Sequence, residues 1–263
     1  MTDTPRSAYR ALEARATLVT VGVLLTLAAI AWWSTVGWAA DMGHMASGLG
    51  AIGTAMMPFD MSAATFLAMW ATMMVAMMFP TVAPIVLLHR MVARRRRESA
   101  VSSIAFGAGY LIVWTAAGLV PLAVLVAFRN VAHDTGWIAP LGGAVLVVCG
   151  AYQFSGWKQA CQRACRSPMS FLMTHDFGGG MVGALRTGAV HGAFCLGCCW
   201  ALMAVLFVVG LMNLVWMAAI AVVFLAEKNW RHGAALAKVV GTLVIALGLA
   251  VLLQPTLLAA ISL

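Results

Sequence analysis

Apolar residues run along this chain in unbroken blocks, without the alternation of a half-buried strand or the single stripe of a surface helix. The blocks fall at 18–38, 66–88, 104–128, 138–154, 187–209, 214–226 and 235–253. About 20 apolar residues carry a helix across the hydrocarbon of a bilayer. Open strands leave backbone groups unsatisfied in lipid. The pattern therefore predicts an all-α, polytopic transmembrane bundle of about seven spans, the sixth of them short. Residues 1–17 form an N-terminal tail, 18–254 the helical domain and 255–263 the C-terminal end.

Composition agrees. The chain is 63% hydrophobic and 9% charged, with a mean hydropathy of +0.96, more apolar surface than a soluble domain can cover. Charge then sets orientation. With a cytosolic N-terminus, every basic residue except Arg129 falls on the inner side: Arg6, Arg10, Arg15, Arg90, Arg94 to Arg97, Lys158, Arg163, Arg166, Arg186, Lys228, Arg231 and Lys238. This is the bias of the positive-inside rule, so the net charge of +8 reports topology and implies no nucleic-acid partner. The expected location is the inner membrane, multi-pass, with the C-terminal end outside. The first block is longer than a signal-peptide core, and Gly37-Trp38-Ala39 is a poor cleavage site, so it reads as an uncleaved anchor.

Against this background the chemistry is concentrated. Cys161 and Cys165 are spaced i, i+4, on one helical face. In H-G-A-F-C-L-G-C-C-W, His191, Cys195 and Cys199 are spaced i, i+4, i+8, with Cys198 beside them. On the predicted topology all lie near the cytosolic face, where stable disulfides are disfavoured. If the fourth and fifth spans touch, both sets meet, and Gly188-x-x-x-Gly192 is a motif that permits close helix approach. Cys149 stands alone and reads as packing. Glu227 at the inner end of the sixth span is a weaker candidate, with adjacent Lys228 available to hold it at the interface.

Methionine is the second feature. Met42, His44, Met45, Met56, Met57 and Met61 fall in the first outer loop. In the second span Met69, Met73 and Met77 are spaced i, i+4, i+8, with Met74 and Met78 parallel to them. Thioethers and thiolates are the soft ligands that suit Cu(I). Methionine also fills gaps between helices, so the ladder gains meaning only beside the thiols. Pro80 and Pro84 are expected to kink or end this span near its inner end.

The segments W-A-T-M-M-V-A-M-M-F-P, Y-Q-F-S-G-W-K-Q-A-C-Q-R-A-C-R-S-P, H-G-A-F-C-L-G-C-C-W-A-L-M, G-L-M-N-L-V-W-M and E-K-N-W resemble a bacterial family of predicted metal-binding integral membrane proteins, over roughly residues 60–255. The resemblance implies metal ligation by Cys161, Cys165, His191, Cys195, Cys198 and Cys199. It does not supply the metal.

Three functions remain. The first is binding of a soft transition metal ion, Cu(I) favoured, for import or for buffering and hand-over to a donor or acceptor protein. The second is thiol redox chemistry through the C-x-x-C pair Cys195 and Cys198. The third is a scaffold stapled by zinc or an iron–sulfur cluster. No catalytic triad, carboxylate dyad or nucleotide fingerprint is present to specify an enzyme.

Overall fold

The computed structural model describes residues 4–42, 62–128, 137–211 and 213–261, with the side chains of 4–14, 16, 41–42 and 259 outside the description. Met42 as a ligand, His44, Met45, Met56, Met57 and Met61 therefore lie outside the described side chains. Among the described residues the fold is all helical, without strands. The helices are α1 (Thr4–Met42), α2 (Ala63–Arg95), α3 (Ala100–Ala117), α4 (Leu119–Phe128), α5 (Ile138–Tyr152), α6 (Gly156–Arg166), α7 (Pro168–His175), α8 (Gly180–Val209), α9 (Leu214–Asn229), α10 (Gly233–Leu253) and α11 (Thr256–Ile261).

Five described helical stretches are long and apolar enough to cross a membrane: 17–40 in α1, α2, the continuous stretch 100–127 of α3 and α4, α8 and α10. A sixth exists if α5 and α6, bent by 60° across a short break, count as one span. The remaining expected span, 214–226, lies in α9, whose 16 residues reach only about 24 Å at 1.5 Å per residue, short of a hydrocarbon core of about 30 Å.

The break between α5 and α6 has a local cause. Ser155 leaves the helix in extended geometry and its hydroxyl caps the new helix at the Lys158 amide, 3.1 Å away. A serine N-cap satisfies an orphan donor and so starts a helix at little cost. Helix α6 consequently turns across the bundle and packs on α8 and α9.

Two prolines that were expected to kink or end α2 do not end it. The helix runs through Pro80 and Pro84 to Arg95. Proline removes the donor for the carbonyl four residues back, and the carbonyl of Ala76 instead accepts from the Trp32 indole of α1 at 3.1 Å. Neighbouring helices satisfy freed carbonyls in this way.

Helix α8 is the axis of the fold. Most of one flank packs on α3, and there backbones meet with no side chain between. A Cβ on Gly188 would collide with the Phe106 carbonyl, and one on Gly109 with the Leu185 carbonyl. The Gly188/Gly192 pair thus opens α8 toward α3 and not toward the cysteine helix α6, a correction to the sequence expectation. The α6 contact is made one face away at Gly197, where an added Cβ would lie 2.6 Å from Cys161 Sγ. Gly188→Ala is expected to cost about 1–3 kcal/mol, as overpacking does, read as a lowered melting temperature of the purified protein. An unchanged melt would contradict the close approach.

Candidate metal centre

Helices α6 and α8 bring three thiols together. The sulfurs of Cys165, Cys195 and Cys198 all lie within 4.8 Å of one another, and Cys165 Sγ is 3.8 Å from Cys198 Sγ. Two sulfurs bound at about 2.3 Å to one tetrahedral ion are roughly 3.8 Å apart, so the spacing fits ligation. Both α8 cysteines are buried. The i, i+3 spacing of Cys195 and Cys198 sets them on one face, and the bend after Tyr152 swings Cys165 onto it. Tyr152 fixes that approach by donating its hydroxyl to the Gly197 carbonyl at 2.7 Å.

The other sequence candidates are placed nearby but outside this three-sulfur group. Cys161, one turn from Cys165, packs its sulfur against Gly197. Cys199 Sγ is 3.4 Å from Cys198 Sγ. His191 is buried one turn before Cys195, its ring near Phe106, Tyr110 and Phe171. Its Nδ1 has no hydrogen-bond partner, leaving an unspent donor atom beside the thiols. Cys149 is buried in the core and not in the group. The close thiol contact between helices joins Cys165 to Cys198, whereas the C-x-x-C pair lies wholly on α8.

Three residues that the sequence did not place among the ligands complete the surroundings. Lys228 Nζ donates to Cys195 Sγ at 3.0 Å, to Thr81 Oγ1 at 3.3 Å and toward Met78 Sδ at 3.9 Å. The Tyr110 hydroxyl lies 3.1 Å from Cys195 Sγ. Thr81 is also buried, giving its own hydroxyl proton to the Met78 carbonyl at 2.8 Å.

Glu227 does not pair with Lys228. Its Oε2 accepts from Lys158 of α6 at 2.8 Å, and Gln153 also accepts from Lys158. Neighbouring residues on a helix point about 100° apart, so Glu227 faces α6 while Lys228 faces α2 and α8.

The methionines of α2, Met69, Met73, Met74, Met77 and Met78, are all buried in the core. Met78 reaches the surroundings of the site, through Lys228.

A short helix covers one side. On α7, Phe171 is buried with its ring centroid 5.0 Å from that of His191 and 5.0 Å from that of His175. Beyond it, Arg96 grips Asp176 through two bonds, at 3.1 and 2.5 Å. The Arg96 hydrogen bond holds the Asp176 carboxyl below its ordinary range, against a smaller opposing effect of burial. A lowered native pKa means the bridge contributes above the ordinary aspartate value of about 3.9. That contribution fades as pH falls through the lower native value.

A family model described as "PpoB2: Copper chaperone" matches residues 67–251. The match spans α2 to α10 and includes every described candidate ligand, and the chain belongs to this family. No curated protein and no solved structure matches it.

Proposed function

We propose that this member of the PpoB2 copper chaperone family is a multi-pass protein of the bacterial inner membrane that holds Cu(I) and delivers it to, or receives it from, a partner protein. The ion is cargo, bound by Cys165, Cys195 and Cys198 near the cytosolic face, with Cys199 and His191 as adjacent donors for its arrival or departure. The observation that carries this reading is the convergence of three sulfurs from two helices within 4.8 Å. Thiolates are the ligands that bind Cu(I) tightly, and a chaperone family is where a releasable copper site belongs.

The membrane setting rests on the apolar helices and on the basic residues that the sequence gathers on one side. Import or buffering are both compatible with this site. The buried methionines of α2 would give imported copper a soft route toward Cys195, ending at Met78.

The geometry separates two cysteines that the sequence treats alike. Anaerobic titration of the purified protein against a chromophoric Cu(I) chelator is expected to give one tightly held ion in the wild type. Cys165→Ala should lower the affinity more than about 100-fold, beyond the 10–100-fold that loss of an outer-shell partner costs. Cys161→Ala should stay within about tenfold of the wild type, since its sulfur packs on Gly197 and at most supports the ligands. Equal losses in the two variants would refute the three-sulfur assignment. Elemental analysis of the same samples distinguishes copper from zinc and iron.

A further inference from the structure

Lys228 is unusual in its place. A lysine is seldom fully buried without a carboxylate partner, yet this one is buried and the carboxylate next to it in sequence is held by Lys158. Its ammonium is surrounded by Cys195 Sγ at 3.0 Å, Thr81 Oγ1 at 3.3 Å and Met78 Sδ at 3.9 Å, over the Phe224 ring at 5.8 Å. The anionic charge available to it is that of the thiol cluster.

We propose that Lys228 is the metal-specificity residue of this site: its fixed positive charge, set against Cys195, makes the three thiols select a monovalent, three-coordinate ion such as Cu(I) or Ag(I) over a divalent, four-coordinate ion such as Zn(II). The inference rests on the reading that Cys165, Cys195 and Cys198 hold the metal, and it goes further by naming what excludes the competing ion.

Two physical effects act in the same direction. The first is charge. Coulomb repulsion between the ammonium and a bound ion scales with the charge of that ion, so a dication is disfavoured twice as strongly as a monocation at the same point. The stabilisation that the ammonium gives to the thiolates is common to both ions and cancels in the ratio of their affinities. The second is coordination. Zinc sites in proteins are almost always closed by four donors or by three and an open water position. Beside Cys195 stands a group with three N–H donors and no lone pair.

The groups around the ammonium itself supply zinc with no fourth ligand, which leaves the more distant His191 Nδ1 as the remaining free donor. Cys199 follows Cys198 directly in the chain and lies outside the three-sulfur group. Met78 offers a thioether, which prefers Cu(I). The Thr81 hydroxyl is already turned to the Met78 carbonyl. A soft monovalent ion asks for none of these.

The test is a ratio of affinities. The full-length wild type, Lys228→Leu and Lys228→Arg are purified in detergent. Cu(I) affinity is measured anaerobically against a chromophoric chelator, and Zn(II) affinity against a zinc dye. Removing the charge in Lys228→Leu, which adds no donor atom, should raise the Zn(II)-to-Cu(I) affinity ratio at least about tenfold, because the dication sheds twice the repulsion. Lys228→Arg keeps the charge and should leave the ratio within about threefold of the wild type. Lys228→Gln, neutral but still able to donate to Cys195 and Thr81, should behave as Lys228→Leu does and guards against a packing defect in the latter.

Parallel losses of both ions in Lys228→Leu and Lys228→Gln, with no change in the ratio, would show a purely structural lysine and overturn the proposal. A wild type that binds neither ion would instead refute the metal-site reading beneath it.

Discussion

Cys195→Ala is expected to abolish tight Cu(I) binding and to lower the melting temperature of the protein, a double loss that no other cysteine substitution should match. Cys195 Sγ is the sulfur with the most partners. It belongs to the three-sulfur group, lies 3.1 Å from the Tyr110 hydroxyl and accepts from Lys228 at 3.0 Å. Removing it leaves two thiols for the ion, and the affinity should fall more than about 100-fold, past the cost of losing an outer-shell group.

It also leaves a buried ammonium facing only a hydroxyl and a thioether. Stripping one partner from a buried charge costs about 3–5 kcal/mol, so the melt should shift clearly even without metal. Cys195→Ser separates the two effects. The hydroxyl still accepts from Lys228 but is a hard, unionised donor for Cu(I), so metal binding should vanish while most of the stability returns. Retention of wild-type affinity in either variant would remove Cys195 from the site.

The contrast between Cys195 and Cys161 shows how far spacing carries. Helical register alone placed His191, Cys195 and Cys199 on one stripe and Cys161 above Cys165. Whether two stripes meet depends on where a helix bends, and that was encoded in Ser155, an ordinary polar residue in Y-Q-F-S-G-W. The cap it makes at Lys158 turns α6 so that Cys165 reaches Cys198 while Cys161 stops at Gly197.

Glycine was legible as a sign of close approach but not of direction. Gly188 and Gly192 admit α3, and the single Gly197 admits α6. A glycine advertises space without naming its occupant, so the pair alone could not identify the partner helix. All-helical character needed no such detail, because backbone satisfaction in apolar blocks allows little else. The number of candidate spans was harder to read, since hydropathy reports apolar length and α9 is apolar but short.

Charges inside apolar helices were the least legible. Glu227-Lys228 reads in sequence as a self-satisfied pair, whereas in space the two belong to different networks. The Glu227 network holds α6 in place. Lys158, wholly buried, donates to Glu227 Oε2 at 2.8 Å and to Gln153. Gln162 donates to the Glu227 carbonyl at 3.3 Å, and Arg166 to the carbonyls of Trp230 and Arg231 at 2.9 and 3.0 Å. The donors Lys158, Gln162 and Arg166 all lie on α6 and reach to Glu227 and the chain just beyond it, and Cys165 rides on the same helix.

Lys158→Met should therefore act twice. It leaves the Glu227 carboxylate buried without its cation, with Oε1 already unpartnered, at a cost of about 3–5 kcal/mol. It also loosens the helix that presents Cys165, so Cu(I) affinity should fall with stability although no ligand has been touched. The double variant Lys158→Met/Glu227→Leu replaces the whole pair with apolar groups, an exchange that is often neutral or stabilising. It should recover the melting temperature, and the metal affinity should recover with it, because what the site needs from this network is a fixed α6 and not its charges. Recovery of stability without recovery of affinity would instead give the Lys158–Glu227 pair a direct electrostatic part in holding the ion. A single Lys158→Met variant that melts like the wild type would dismiss the pair as an anchor for α6 altogether.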